Sequence, residues 1–346
     1  MKFNRNIKMN FRFKRAAVKA IASLCIILIS FSLSFAQFEK TGNIGAQFLK
    51  IGVGARAAGM ATSFVAVSND ITALYWNPAG IVWLENNAAI VSHNKWIADT
   101  NYEFIAYAHS FNQQNAIGFF MSYLSFGEIE QTTIRNPSGT GVKFFSYDLA
   151  VGGSYSRRLI EDFAIGVTGK YIREQIWDMA STTFAFDIGA LFSPGFKPLH
   201  FGVSLSNFGK DAQFNGVNLD QNLDLFPDQD PIDVRFQTTP YPIPLIFRFG
   251  FAYDFFTGEE KLVTLSVEGR HLTDTEQKVN FGLEYHIFEG IALRTGFRAN
   301  DDEGYYAAGF GINKSIGNAV NAQIDYAFQD VGRLLNSHRL SLIFEF

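Results

Sequence analysis

Residues 245–255 read LIFRFGFAYDF. Leu245, Phe247, Phe249, Phe251 and Tyr253 fall on one side of an extended chain, and Ile246, Arg248, Gly250, Ala252 and Asp254 on the other. Successive strand side chains point to opposite faces, so one face is oily and the other carries charge. The pattern returns with Val279, Phe281, Leu283, Tyr285 and Ile287 against Asn280, Gly282, Glu284 and His286. It returns again with Val320, Ile324, Tyr326 and Phe328 against Asn321, Gln323 and Asp325. The last residues place Leu340, Leu342, Phe344 and Phe346 opposite Arg339, Ser341 and Glu345.

Working outward from Ala88, about fourteen such segments follow one another, each roughly nine to eleven residues long, the length of a tilted strand crossing hydrocarbon. The expected fold is an all-β membrane protein, an antiparallel transmembrane barrel of about fourteen strands. Composition agrees: 37 Phe and 13 Tyr coexist with a mean hydropathy of only +0.04, the dilution that alternation produces. Connections at 112–114, 157–161, 193–198, 256–260, 288–289 and 315–318 are short, whereas the opposite set includes 125–142 and 208–244. Outer-membrane barrels keep short turns in the periplasm and long loops outside. A soluble sandwich or lipocalin-like barrel shares the alternation but has no use for so many aromatic-faced strands.

The chain opens with Lys2, Arg5, Lys8, Arg12, Lys14, Arg15 and Lys19, then an apolar run at 21–35 ending Ser34-Phe35-Ala36. This reads as a signal peptide, residues 1–36, cleaved after Ala36. The apolar run is short for a spanning anchor helix, and Cys25 lies within it, where a lipoprotein cysteine would follow it. The cut leaves 22 basic residues against 33 acidic, a net −11, which disfavours nucleic acid. It also removes the single Cys, so no disulfide or thiolate metal site is expected.

Residues 37–87 differ: GAQFLKIGVGARAAGMATSFVAVSNDITALYWNPAG lacks alternation and is rich in small residues. A compact insert in the barrel lumen, a hatch, is expected there, with the strands at 88–346. The runs Gly54-Ala55-Arg56-Ala57-Ala58-Gly59-Met60, Val65-Ala66-Val67-Ser68-Asn69-Asp70 and Ala73-Leu74-Tyr75-Trp76-Asn77-Pro78-Ala79-Gly80 resemble the N-terminal signature of the PorV/PorQ family. That family is similar in turn to the FadL-type fatty-acid transporters, fourteen-stranded barrels whose hatch carries a related Asn-Pro-Ala turn. The resemblance implies a hatch-plugged outer-membrane barrel and, for the best-known members, a place in type IX secretion, docking secreted cargo or the translocon. It marks Gly54, Arg56, Gly59, Asp70, Trp76, Asn77, Pro78, Ala79 and Gly80 as the hatch motif. C-terminal Phe346 resembles a barrel-assembly signal.

Gly52, Gly54 and Gly59 precede no Gly-Lys-Ser/Thr and are not a phosphate loop; close packing of a hatch helix on the wall is the better reading. Arg56 pairs a lumenal carboxylate or is solvated. The six His show no metal-ligand spacing. Asp220, Asp224, Asp228, Asp230 and Asp233 lack the EF-hand glycine and glutamate, so an acidic external loop is expected ahead of a calcium site. Inward charges such as Asp148, Lys170, Asp187, Arg248, Glu268, Arg270, Glu284, Arg294, Arg298 and Asp325 read as mutually satisfying lumen groups, and no catalytic set or cofactor is expected. Two functions follow. A docking protein would use outer loops, with Leu225, Phe226, Ile232 and Tyr241 as apolar tips and outer-membrane lipid, translocon or cargo as partners. A transporter of hydrophobic small molecules would need an apolar pocket beside a movable hatch.

Overall fold

The computed structural model describes residues 42–112, 114–192, 198–223, 230, 232–256, 262–288, 290–300, 304–317, 320–334 and 336–346. Among the described residues seventeen strands follow in order: β1 (Asn87–Lys95), β2 (Asn101–Phe111), β3 (Asn115–Glu130), β4 (Lys143–Ile160), β5 (Phe163–Ile176), β6 (Met179–Phe192), β7 (Leu199–Gly209), β8 (Phe214–Gly216), β9 (Asp220–Leu223), β10 (Ile232–Arg235), β11 (Ile246–Phe256), β12 (Leu262–Leu272), β13 (Lys278–Phe288), β14 (Ile291–Ala299), β15 (Tyr306–Ile316), β16 (Val320–Asp330) and β17 (Asn336–Glu345). Fourteen of these, β1–β7 and β11–β17, pair antiparallel with their neighbours, β7 joining directly to β11. The sheet closes where β1 meets β17, from Ala88 opposite Glu345 to Lys95 opposite His338. Hydrocarbon supplies no hydrogen bonds to a free strand edge, and closure removes the edge.

Alternation sorts the side chains as the sequence reading expects. On β11, Phe247, Phe249 and Tyr253 face outward while Ile246, Arg248 and Ala252 are buried. On β17, Leu340, Leu342 and Phe344 face outward while Arg339, Ser341 and Ile343 are buried. Both ends of the barrel chain lie at the rim where turns are short: Asn87 and Phe346 exchange two backbone hydrogen bonds of 2.9 Å. Turns at that rim span no more than six residues, and the opposite rim carries the 36 residues between β7 and β11. By loop length the short-turn rim is periplasmic and the other external.

Three expectations are corrected. Residues 157–160 are strand rather than turn, because β4 stays paired with β5 until Ile160 meets Phe163. Residues 125–130 are not loop, because β3 and β4 resume pairing beyond a bulge, with Glu128 opposite Phe145 and Glu130 opposite Lys143. Antiparallel pairing needs no bilayer, so the hairpin continues into water and the connecting loop shortens to 131–142. Tyr241 is no exposed tip, being packed partly buried against the core. The arm between β7 and β11 folds back: β8 extends the outer end of β6, with Met179 opposite Gly216, and Ala212 and Tyr241 exchange backbone hydrogen bonds of 2.8 and 2.9 Å.

Closure is checked across its seam. Val91 and Leu342 are direct partners facing outward, at a separation of roughly 5.5 Å between α-carbons for a pair of this kind, within disulfide reach. Val91→Cys with Leu342→Cys should give a chain that runs faster on a boiled, non-reducing gel. Val91→Cys with Leu340→Cys should not, and the reverse outcome would contradict the register.

Candidate functional site

Residues 42–86 run along the inward faces of the strands from the external rim to the periplasmic rim. Regular structure in this inner segment is scant: 3-10 turns at Gln47–Lys50 and Pro78–Trp83, and helical turns at Ala55–Gly59 and Ala73–Trp76. A buried chain with so few internal hydrogen bonds must find partners elsewhere. The wall supplies them. Glu268 on β12 accepts the N–H groups of Phe64 and Val65 at 2.8 Å each. Ser341 on β17 accepts the N–H of Ala55 at 2.9 Å, and the hydroxyls of Ser156 and Ser266 donate to the carbonyls of Ala79 and Ser63 at 2.9 Å.

Arg56 is the centre of the electrostatics. Its Nε and Nη2 donate to the two oxygens of Glu284 at 2.9 and 2.8 Å, and Nη1 donates to Asp70 at 3.0 Å and Asn69 at 2.7 Å. Arg294 then bridges Glu284 and Asp325, both at 2.6 Å. Of the two readings of Arg56, pairing with a lumenal carboxylate is the one realised, bidentately, a geometry only a planar guanidinium offers. Asp70 also accepts from the Thr72 N–H at 2.8 Å, fixing the turn into the second helical segment.

The Asn-Pro-Ala-Gly turn is seated against β5 and β6. The Asn77 side chain donates to the carbonyls of Val65 and Ala190 at 3.1 and 3.0 Å and accepts from the Ala79 N–H, while Pro78 opens the 3-10 turn. Room comes from two paired wall glycines, Gly166 and Gly189. A Cβ on Gly166 would lie 2.3 Å from the Pro78 carbonyl carbon, and one on Gly189 2.1 Å from Asn77 Oδ1. Opposite Val65 stand Gly202 and Gly250, and opposite Met60 stand Gly282 and Gly296, again cross-strand pairs. Gly59 touches Gly309 and Arg294, the close approach of helix to wall. Gly54 adopts φ +78°, and any Cβ there would strike Thr72. Gly80 faces the Ser68 carbonyl. These wall glycines escape sequence reasoning, because only the fold reveals which glycines face the segment. Trp76 is fully buried, donating to the Val53 carbonyl at 3.0 Å beneath the Arg248 guanidinium, 5.3 Å from its ring.

At the external end the lumen is filled. Phe48, Leu49 and Ile51 of the inner segment belong to one buried cluster with Tyr102, Phe104, Phe120, Leu124 and Ile172 of the wall. Tyr241 lies over Gly45, and its hydroxyl donates to Glu174 at 2.6 Å while the Ala46 N–H donates to the other Glu174 oxygen at 3.0 Å. Burial, with the hydrogen bond to Glu174 adding to it, pushes the Tyr241 phenol up, so it remains a donor. Pro242 accepts from the Gly45 N–H, and Lys50 pairs with Asp274 at 2.8 Å. At the periplasmic end, by contrast, a cavity of about 540 Å³ opens beneath Arg56 and Asp70. Of the other expected loop residues, Ile232 is exposed on β10, and Leu225 and Phe226 lie outside the described residues.

Residues 35–195 match the family described as type IX secretion system protein PorV. No curated protein sequence matches. Among solved structures, the Pseudomonas putida toluene transporter TodX is similar at a TM-score of 0.54 and 10% identity, over 85% of this chain and 97% of that one. The Ralstonia pickettii toluene transporter TbuX gives 0.52 and 10% identity over the same shares. A Pseudomonas aeruginosa FadL homologue gives 0.50 and 11% identity, over 84% and 96%. At such identities these likenesses speak for the fold.

Two outcomes test the site. Arg56→Ala leaves buried Glu284 short of a partner and should cost about 3 kcal/mol, of which Arg56→Ala with Glu284→Gln recovers a part. Equal losses in the single and double variants, read by thermal unfolding in detergent, would refute the coupling. Gly166→Leu should unseat the Asn77 turn, so that limited proteolysis cuts the inner segment while the heat-modifiable barrel persists. The matched segment, the fourteen-stranded closed barrel and the Trp-Asn-Pro-Ala-Gly turn it encloses agree: residues 35–195 match the family described as type IX secretion system protein PorV, within a barrel whose fold is similar to that of the toluene transporters.

Proposed function

We propose that this barrel is an accessory protein of type IX secretion that docks cargo or the translocon through its external face, with residues 37–87 as a fixed hatch. The observation that carries the reading is the filled outer lumen. A transporter needs an apolar entry beside its hatch, whereas here Phe48, Leu49, Phe104, Phe120 and Tyr241 occupy that space. The external extensions instead present Ile134, fully exposed, with Phe126, Val217, Ile232 and Phe236 also solvent-facing. Apolar residues raised into water on strand-supported arms are the usual marks of a protein contact.

The same proposal places the mature chain in the outer membrane after removal of residues 1–36. Family and fold are of non-enzymatic kinds. The second reading, passage of hydrophobic small molecules, draws on the fold shared with the toluene transporters. It would require the Tyr241 arm and residues 45–51 to move together.

Purification of the tagged protein from its own outer membrane in mild detergent, with mass spectrometry of retained proteins and lipids, separates the two. Secretion components should co-purify, and Ile134→Asp with Phe236→Asp should release them while the barrel still assembles. Recovery of the barrel alone, carrying hydrophobic small molecules absent from a detergent control, would replace docking with transport.

A further inference from the structure

The periplasmic cavity has a chemistry of its own. Its volume, about 540 Å³, lies in the range of small-molecule sites. Its lining is part apolar, with Val67, Leu191 and Leu262, and part acidic, with Asp70, Asp254, Glu284 and Glu345. Two guanidiniums also line it, Arg56 and Arg294. Both are engaged: Arg56 with Glu284, Asp70 and Asn69, and Arg294 with Glu284 and Asp325. Asp254 accepts from Thr264 at 2.7 Å and lies 3.2 Å from His200. The Glu345 carboxylate, on the inward side of the last strand, makes no hydrogen bond or ion pair among the described residues.

We infer that this cavity binds an organic cation, an amine or guanidinium carried on an apolar body, and rejects the carboxylate-headed equivalent. A ligand carboxylate would meet surplus negative charge and no uncommitted guanidinium, in a recess where water screens it less than at the surface. A ligand amine would meet Glu345, which no donor hydrogen-bonds among the described residues, with Asp254 in the same lining, while its apolar body lies on Leu191 and Leu262. The hatch residues Asp70 and Asn69 form part of the same lining, so the bound ligand would touch the inner segment from the periplasmic side. The site stands independently of external docking and would survive the failure of that reading.

Calorimetric titration of the mature barrel in a non-ionic detergent, with 3-phenylpropylamine, 3-phenylpropanol and 3-phenylpropionate as probes, tests it. The amine should bind, the alcohol more weakly, and the carboxylate not measurably. Glu345→Gln and Asp254→Asn should each weaken the amine by about fivefold and leave the alcohol unchanged. Because Glu345 adjoins the terminal Phe346, Asp254→Asn keeps the test intact should the first variant fail to assemble. Equal binding of amine and alcohol, binding of the carboxylate, amine binding that neither substitution alters, or no binding of the amine at millimolar concentration would each overturn the inference.

Discussion

Hydrocarbon offers no hydrogen bonds, and from that single deficiency most of this structure follows. A sheet in lipid must close, and closure of fourteen strands fixes a lumen wider than wall side chains alone can fill. The space goes to residues 42–86, which inherit the same problem one layer further in. Their backbone groups are no better hydrated than those of the strands, and little regular structure answers them. Glu268, Ser341 and Ser156 do so from the wall. The wall thus serves two masters, lipid outside and an irregular chain inside, and strand alternation keeps those duties on separate faces.

Close approach between the two layers depends on omission as much as contact. The glycine pairs Gly166 with Gly189, Gly202 with Gly250, and Gly282 with Gly296 sit where the inner backbone comes nearest. Charge then fixes what shape permits. Arg56, Glu284, Arg294 and Asp325 form a continuous chain from inner segment to wall, and removing any member strands a neighbour's charge in a poorly hydrated space. The arrangement selects one seating of the segment, because a shift of even one residue would break the bidentate pair and drive side chains into the glycine gaps.

The barrel was legible because its cause is periodic: a two-residue repeat survives in LIFRFGFAYDF whatever the neighbouring strands do. Loop sorting was legible for the same reason, being local. The inner segment was marked in sequence by its lost alternation, its small residues and the wording of its motif, but nothing in GARAAGM states which wall it meets. Tyr241 illustrates the limit. In sequence it is one more aromatic in a long polar connection, and its burial is set by Gly45 and Glu174, both distant along the chain. Residues 125–130 misled differently: the bulge between Ser125 and Glu128 interrupts alternation without ending pairing. The periplasmic cavity has no sequence signal, because a void is defined by what several strands fail to fill.

The asymmetry of the lumen separates this barrel from a simple conduit. Among the described residues its external half is packed with apolar side chains, its periplasmic half holds an acidic cavity, and the inner segment spans both. Glu174 makes the external seal cooperative, since one carboxylate holds Tyr241 of the outer arm with one oxygen and the Ala46 N–H of the inner segment with the other. Lifting the arm would withdraw one of two donors from a half-buried carboxylate and take away the aromatic cover over Gly45, opening the Ala46 contact to water. An external contact that pulled on the arm would therefore act directly on the inner segment. The outer arm and the inner segment are in this sense one mechanical unit, coupled through Glu174, the Tyr241 ring over Gly45 and the hydrogen bond from the Gly45 N–H to the Pro242 carbonyl.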